Sequence, residues 1–480
     1  MAGGLILVLA LVGCASRTAE LALLYNREAQ HHGPERNPII VIPGILGSML
    51  YDPTSDTMAW GAFDPSAANP DTPEGARSLA LPIADRPLSE IHDEIVPRGV
   101  LEKLRIRLLG IPLEIQAYAG VLQTLGAGGY RDEDLGLGGQ VDYGEDHFTC
   151  FQFDYDWRRD NVENAKRLHD FIIEKRAYVR EELKLRFGVD KQDIKFDIAA
   201  HSMGGLITRY FLMYGDQEIT AEGPPPKLTW EGAQYVERVI LIGTPNGGAL
   251  GALVELVEGT QLAPLLPYYP PALLGTFPSI YQLLPRSRHQ LALWDDDANR
   301  PVADLLDPAL WEELGWGLAS PKQASMLEVL MSDVPDPDER RAIALAYQGR
   351  LLARARAFQA ALDRPATRPE GLDLLLVAGD VDGTTSRVSV SSEDGSLEIV
   401  DRAPGDGSVL RSSALLDERV GGEWQPFVVT PIDFSAILFL PERHLALTRA
   451  PAFRDNVLFW LLEAPRNRSE SESEKTSPDR

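Results

Sequence analysis

Ser202 lies in a stretch of sequence where a serine could act as a nucleophile. The apolar run Phe196 to Ala200 predicts a buried strand, and Met203 to Tyr214 has the pattern of a helix. Small residues flank the serine, with Ala200 before it and Gly204 after it. A sharp strand-to-helix turn, the nucleophile elbow, needs such neighbours because larger side chains would make the helix collide with the strand. Two residues before the serine, where such turns usually have glycine, this chain has alanine, which adds only one methyl group.

A serine hydroxyl needs a histidine base, and that histidine needs a carboxylate that fixes its tautomer. Where a nucleophile elbow supplies the serine, the chain order is serine, acid, histidine. Of the eight histidines, only His289 and His444 follow Ser202. Between Ser202 and His289 the one aspartate is Asp216, at a helix end, and the glutamates there lie in a loop or in an apolar segment. His444 follows the predicted strand Phe434 to Leu440 and is therefore the expected base.

Three aspartates could supply the acid. Asp380 and Asp382 come directly after a strongly apolar strand, a usual position for an acid that follows a late strand. Asp406 lies in a loop between two glycines. The residues alone leave all three open.

Apolar runs alternate with helical stretches along most of the chain. Such alternation predicts an α/β fold with a mostly parallel central sheet and helices on both faces. The expected strands are Pro38 to Gly44, Phe151 to Asp154, Phe196 to Ala200, Val236 to Gly243, Leu372 to Ala378 and Phe434 to Leu440, and the helices expected between them include Asn161 to Phe187 and Met203 to Tyr214.

The folded domain is expected over residues 37–463, with three intervals that break the alternation. Residues 52–146 suggest a cap-like insertion with one amphipathic piece near 101–109, and the Pro- and Leu-rich segment 255–278 suggests a lid. Residues 288–364 suggest a helical insertion that ends in an Ala-, Leu- and Arg-rich helix from about Pro335. The polar tail, 465–480, is expected to be disordered.

Near its start the chain resembles a bacterial lipoprotein signal. An apolar run, Gly3 to Val12, is followed by a small residue and then Cys14, which would be lipidated and become the first mature residue. The absence of Lys and Arg before the run departs from that pattern. Residues 1–18 are thus the expected signal, residues 19–36 a flexible tether, and the mature protein a membrane-anchored lipoprotein of the cell envelope, in a membrane that the sequence does not specify.

Composition excludes several other classes of protein. The formal charge of −25 and the pI near 4.8 disfavour a nucleic-acid partner, because phosphate binding needs clustered Lys and Arg. Cys14 and Cys150 are the two cysteines, too few for a disulfide framework or a Cys-rich metal site. No metal or organic cofactor is implied.

Several segments together resemble the lecithin:cholesterol acyltransferase family of α/β-hydrolases, which includes lysosomal phospholipases and phospholipid:diacylglycerol acyltransferases. They occur in the family's order and span residues 38 to about 460. The matching segments are Pro43 to Ser48, Tyr155 to Arg158, His201 to Gly205, Gly243 to Gly248, Gly405 to Val409, and His444.

The resemblance favours Asp406 as the acid over Asp380 and Asp382. It also implies an oxyanion hole formed by the backbone N–H groups of Met203 and Ile45. The Met203 amide would lie at a helix N-terminus, where it is free to donate and favours negative charge. Two departures from the family concern specificity. The cysteine pairs of secreted animal members are missing, and the lid sequence has no counterpart that aligns.

The expected reaction is transfer of an acyl group from a lipid ester, a phospholipid or an acylglycerol, through an acyl-enzyme on Ser202. With water as acceptor the protein would be a lipase or phospholipase, and with an alcohol it would be an O-acyltransferase. The alternatives are a carboxylesterase of soluble esters and a non-catalytic lipid-binding lipoprotein on a hydrolase scaffold. The sequence leaves open the acceptor, the lipid class, the acyl position and the oligomeric state.

Overall fold

A computed structural model of the chain describes residues 25, 33–62, 67–101, 103–108, 111–116, 118–134, 147–220, 223–261, 266–422 and 425–466. For residues 103–108, 111–116, 298, 382 and 422 it describes the backbone alone. The predicted signal with Cys14, most of the predicted tether, and residues 467–480 of the tail lie outside the described residues.

Six parallel strands form the central sheet, which confirms the predicted α/β-hydrolase class. In spatial order the strands are Ala436–Leu440, Asp373–Gly379, Val236–Ile242, Phe196–His201, Ile39–Ile42 and Cys150–Gln152. Every neighbouring pair is parallel. The strands are short and apolar because helices cover both faces of a parallel sheet.

Alternate residues of the strand Ile39–Ile42 pack into two different cores. Ile40 and Ile42 pack into the larger core with the helices Asn161–Phe187 and Met203–Tyr214. On the other face, Ile39 and Val41 pack against the C-terminal helix. Since successive side chains of a strand point to opposite faces, one run of four apolar residues supports helices on both sides.

The helices Asn161–Phe187 and Met203–Tyr214 begin and end where the sequence predicted. Asn161–Phe187 starts after Asp160, whose carboxylate accepts the N–H groups of Val162 and Glu163, and ends at Gly188 in the left-handed conformation. The remaining α-helices are Pro73–Leu79, Ala119–Ala127, Leu250–Glu258, Pro271–Leu274, Pro278–Gln282, Pro308–Leu314, Ala324–Leu330, Pro337–Leu362, Arg411–Ala414 and Pro451–Leu462. Within the described part of the chain, no helix is both long and apolar enough to cross a membrane.

Strands outside the central sheet lie mainly in the insertions. The amphipathic piece near 101–109 is a strand, Lys103–Leu108, paired in a hairpin with Ile111–Gln116. The other strands of this interval are Ser48–Asp52, Thr57–Trp60 and Val96–Val100, which form a three-stranded antiparallel sheet. Residues 52–146 are thus rich in strands where they are described.

The prediction that residues 288–364 are helical is wrong for their first part. Ala292–Trp294 and Asp297–Pro301 are strands, and they join the hairpin of Val381–Val390 with Leu397–Gly405 to make a four-stranded sheet. The free edge of that hairpin, distant in sequence, supplies the backbone partners that these short strands need. The long helix expected at the end of the interval is present as Pro337–Leu362.

The predicted lid, 255–278, is mostly core in its second half. Tyr269, Leu273 and Phe277 are buried, and the Phe277 ring meets Trp157 edge to face at 5.7 Å. A segment that forms core cannot swing away without opening that core. The lid therefore stays a prediction for the stretch around the short pair Thr260–Gln261 and Tyr268–Tyr269, whose connection at 262–265 lies outside the described residues.

A buried arginine fastens the cap-like insertion to the end of the Cys150–Gln152 strand. Arg158 is fully buried; it pairs with Asp156 at 2.7 Å and with Asp93 of the insertion at 2.8 Å. It also donates to the carbonyl of Leu79 at 2.9 Å. Because a buried carboxylate is costly without its cation, these contacts make the insertion part of the same cooperative unit as the sheet.

Replacing Arg158 with methionine should lower the melting temperature strongly. Removing one partner of a buried ion pair costs roughly 3–5 kcal/mol, because the remaining charges stay buried. The matched control is Arg77→Met, which breaks the exposed pair of Arg77 with Glu74 at 3.4 Å and should cost under about 1 kcal/mol. Equal melting temperatures for the two variants, measured by calorimetry, would contradict this account of the insertion.

Candidate active site

Ser202 occupies a strained turn at the carboxyl end of a central strand. Its φ is 54° and its ψ is −125°, a conformation that a side chain disfavours. The Ser202 N–H donates to the carbonyl of Ile242 on the neighbouring strand at 2.7 Å, and the helix begins at Met203. A methyl group at Gly204 would lie 2.4 Å from the Pro43 carbonyl oxygen, so the close approach of helix and strand requires glycine there.

His444 reaches Ser202 from the loop after the last strand of the sheet. Its Nε2 lies 3.0 Å from the Ser202 Oγ, in position to accept the hydroxyl proton. The His444 N–H donates to the carbonyl of Asp406 at 2.8 Å, which fixes the loop. Gly243 leaves space for the ring, since a methyl group there would lie 3.1 Å from its Cε1 and Nδ1.

Asp406 contacts the other nitrogen of the same ring. Its Oδ2 accepts from His444 Nδ1 at 2.7 Å, and its Oδ1 accepts the N–H groups of Ser408 and Val409 at 2.9 and 2.7 Å. Burial raises the pKa of this carboxyl, but the interactions with His444 and the two N–H groups outweigh burial and leave the pKa below its ordinary value. The carboxylate is thus held ionised beside the imidazole.

The two other candidate acids differ from Asp406 in their surroundings. Asp380 directs its carboxylate to Arg411 at 3.1 Å and is partly exposed. A methyl group at Gly379 would lie 2.4 Å from Asp406 Cβ, so the end of this strand leaves space for Asp406. The side chain of Asp382 lies outside the described residues. A hairpin that pairs Val381 with Gly405 brings Asp406 back to this strand end.

His289, the other histidine that follows Ser202, lies elsewhere. Its Nε2 is 2.7 Å from the carbonyl oxygen of Asp417, and its ring is buried. The pKa of His289 is lowered, chiefly because burial disfavours the charged ring. The structure therefore brings His444, and not His289, to Ser202.

The predicted oxyanion donors lie on either side of Ser202. Residues 44–47 form a tight turn closed by a 3.1 Å bond from the Gly47 N–H to the Gly44 carbonyl, with Leu46 at φ 63°. A methyl group at Gly44 would lie 2.6 Å from Ser202 Cβ, so this turn abuts the serine. Within the described part of the chain, no acceptor pairs with the N–H of Ile45 or of Met203. Both amides are free to donate to a bound group.

The Tyr155 to Arg158 segment, one of those that resemble the family, holds that turn in place. The Tyr155 hydroxyl donates to the Pro43 carbonyl at 2.8 Å, and the Tyr155 N–H donates to Ser48 Oγ at 3.1 Å. Trp157 Nε1 donates to the Ser48 carbonyl at 3.2 Å. Three bonds therefore fix both ends of the segment Pro43 to Ser48.

Two residues that sequence reasoning did not place in the site contact it directly. Tyr118, from the cap-like insertion, accepts the Gly44 N–H at 2.7 Å. His201, next to the serine, lies with its ring centroid 4.6 Å from that of His444. For His201 a signal was present, since it stands beside Ser202 in the elbow. For Tyr118 there was none.

The Gly243 to Gly248 segment braces the helix behind the serine. A methyl group at Gly205 would lie 2.0 Å from Thr244 Oγ1, and Arg209 donates to Asn246 Oδ1 at 3.1 Å. Among the described residues there is no group of three or more His, Cys, Asp or Glu that could hold a metal ion.

Replacing Gly44 with alanine should suppress the reactivity of Ser202 without unfolding the protein. The new methyl group would lie 2.6 Å from Ser202 Cβ and 3.2 Å from its Oγ, so the turn or the serine must move. We expect labelling by a serine-directed phosphonate to slow by about 100-fold, since misplacing a reacting group by about 1 Å has an effect of that order. The control is Gly251→Ala, where a methyl group meets nothing within 4 Å. Equal labelling rates would show that the contact is not critical.

Comparisons with known proteins agree with this architecture. The family model described as lecithin:cholesterol acyltransferase matches residues 140–307. Among curated proteins, none matches the sequence. Among solved structures, a chain of the Tle4–Tli4 complex superposes with a TM-score of 0.53 at 14% identity, over 89% of this chain and 98% of that one.

A second neighbour is more distant. The mature form of Bacillus licheniformis lipase BlEst2 has a TM-score of 0.30 at 13% identity, over 90% of this chain and 94% of that one. The six-stranded parallel sheet and the family match together support an α/β-hydrolase fold. The chain has the α/β-hydrolase fold, and its residues 140–307 match the model of the lecithin:cholesterol acyltransferase family.

Proposed function

We propose that this chain is a serine-dependent hydrolase or O-acyltransferase of lipid esters, with Ser202 as nucleophile, His444 as base and Asp406 as the acid that orients the base. The observation that carries the proposal is the pair of contacts on the His444 ring. Nε2 lies 3.0 Å from Ser202 Oγ, and Nδ1 lies 2.7 Å from Asp406 Oδ2. Nucleophile, base and orienting acid at hydrogen-bond distance are what acyl transfer requires.

In the first half-reaction, Ser202 Oγ attacks the ester carbonyl carbon while its proton passes to His444 Nε2. The carbonyl π pair moves onto oxygen, and we assign the Met203 and Ile45 N–H groups as donors to that oxyanion. As the tetrahedral intermediate collapses, the bond to the alcohol oxygen breaks, and His444 returns the proton to the leaving alcohol. The product is an acyl-enzyme on Ser202.

The second half-reaction runs in the same site with a new nucleophile. His444 takes a proton from water or from an acceptor alcohol, whose oxygen attacks the acyl carbon. Collapse of the second intermediate breaks the Ser202 ester and returns the proton to Oγ. Water yields a fatty acid and an alcohol yields a new ester, so exclusion of water decides between hydrolase and transferase.

Lipid esters are the favoured substrate class because the family match covers the strand and turn that carry Ser202. We include in the proposal a small lid around Thr260–Gln261 and Tyr268–Tyr269. Tyr268 is 43% exposed there, and we propose that its ring contacts aggregated lipid. A carboxylesterase of soluble esters is the second candidate if the segment proves rigid.

We also propose that the protein is anchored to a membrane of the cell envelope through lipidated Cys14. Support comes from the sequence alone, since an apolar run precedes that cysteine. Incorporation of labelled palmitate that is lost in Cys14→Ala would support the anchor. Labelling that persists in that variant would contradict it.

Replacing Asp406 should lower turnover far more than replacing Asp380. In Asp406→Asn the ring can take the wrong tautomer, and turnover of a soluble short-chain ester should fall by about 10⁴-fold. Asp380→Asn is the matched control, because that carboxylate pairs with Arg411 and not with the base. We expect Asp380→Asn to stay within about 3-fold of the wild type, since loss of a partly exposed ion pair has a small effect. The reverse ranking, measured as kcat, would contradict the assignment.

An assay of the wild-type protein on lipid vesicles distinguishes the possible substrates and acceptors. Vesicles of phosphatidylcholine, with and without a long-chain alcohol, are incubated with the enzyme and the products are separated. Free fatty acid supports the lipase reading, and an ester of the added alcohol supports the transferase reading. Cleavage of a soluble ester with no reaction on phospholipid or acylglycerol would favour the carboxylesterase instead.

A further inference from the structure

A chain of buried hydrogen bonds connects the two sides of the site behind Ser202. It starts at the Gly44 N–H, which donates to the Tyr118 hydroxyl oxygen at 2.7 Å. The Tyr118 oxygen lies 3.2 Å from His201 Nδ1. His201 Nε2 lies 3.3 Å from the carbonyl oxygen of His444. Gly44 precedes the proposed oxyanion donor Ile45, and His444 is the proposed base.

The proton positions in this chain follow from its two ends. A backbone N–H only donates, so Tyr118 accepts from Gly44 and must direct its own proton to His201 Nδ1. At the other end, a backbone carbonyl only accepts, so His201 must carry its proton on Nε2. The two ends therefore demand the same neutral tautomer of His201, with its proton on Nε2.

Burial supports a neutral His201. The ring is 4% exposed, and desolvation, followed by the neighbouring His444, lowers its pKa to about 3 from an ordinary value of 6.5. Protonation at Nδ1 would set two donors against each other, because the Tyr118 proton already points there. Tyr118 is equally buried, and desolvation raises the pKa of its hydroxyl, so it stays protonated.

We propose that Tyr118 and His201 are positioning residues, which hold the turn carrying the Ile45 amide and the backbone of His444 at a fixed separation across Ser202. This inference rests on the proposed function and adds residues outside the triad to it. The two rings pack edge to face at 5.5 Å, so sterics as well as hydrogen bonds fix their orientation. Geometry of this kind affects turnover more than substrate binding, because the oxyanion and the protonated base exist only along the reaction path.

The test compares variants with a soluble short-chain ester, so that lipid binding does not enter. Tyr118→Phe removes the link to both neighbours and should lower kcat by about 10-fold or more with little change in KM. His201→Leu should lower kcat similarly. His201→Gln, which keeps an acceptor and a donor at the end of the side chain, should recover much of the loss. The double variant Tyr118→Phe with His201→Leu should be no worse than His201→Leu, because each breaks the same chain.

The matched control is Tyr214→Phe. Tyr214 is also fully buried, and its hydroxyl donates to the Ala361 carbonyl at 2.9 Å, at the far end of the helix that follows Ser202. The melting temperature of Tyr214→Phe should fall to a similar extent as that of Tyr118→Phe, while its kcat stays that of the wild type. This control separates a positioning role from a merely structural one.

Two results would overturn the inference. One is a wild-type kcat in Tyr118→Phe. The other is a loss in Tyr118→Phe that matches the loss in Tyr214→Phe, which would show an effect of stability alone. Failure of the proposed function is distinct from both, because then the wild-type protein itself would not cleave the ester.

Discussion

The backbone of Ser202 is the constraint on which the rest of the site depends. A serine held at φ 54° stores about 1–3 kcal/mol of strain, which persists only where the surroundings fix it. Here those surroundings are a bond to Ile242 on the next strand, the glycine at 204, and the turn at 44–47 pressed against the serine. This backbone conformation directs Oγ toward His444 and leaves the Met203 amide free at the start of a helix.

Parts from distant regions of the sequence converge on this serine. The sheet places Pro43, Ser202 and the His444 loop at one edge because parallel strands end there together. Asp406 comes from outside the central sheet, carried back by a hairpin. Tyr118 comes from the cap-like insertion, which Arg158 fastens to the sheet with buried ion pairs. The insertion therefore contributes a residue that contacts the site.

Sequence patterns predicted the sheet, the helices Asn161–Phe187 and Met203–Tyr214, and the residues Ser202 and His444, because each depends on local periodicity, on a constrained turn or on chain order. Asp406 could not be separated from Asp380 and Asp382 by pattern, since the return of a hairpin is a matter of register. Tyr118 escaped notice because a single tyrosine in an irregular segment carries no periodic signal. Pattern does not predict the strand Ala292–Trp294 for a related reason, since its partner Val381–Val390 lies about a hundred residues away. Part of the apolar segment 255–278 was read as lid because composition does not distinguish a cover from core.

One measurement tests the central claim most directly: mapping by mass spectrometry where a serine-directed phosphonate attaches. The account predicts a single adduct on Ser202 in the wild-type protein, no adduct in Ser202→Ala, and strongly slowed labelling in His444→Ala, because Oγ is unreactive without its base. An adduct on another serine, or labelling of Ser202 that is unchanged in His444→Ala, would contradict it.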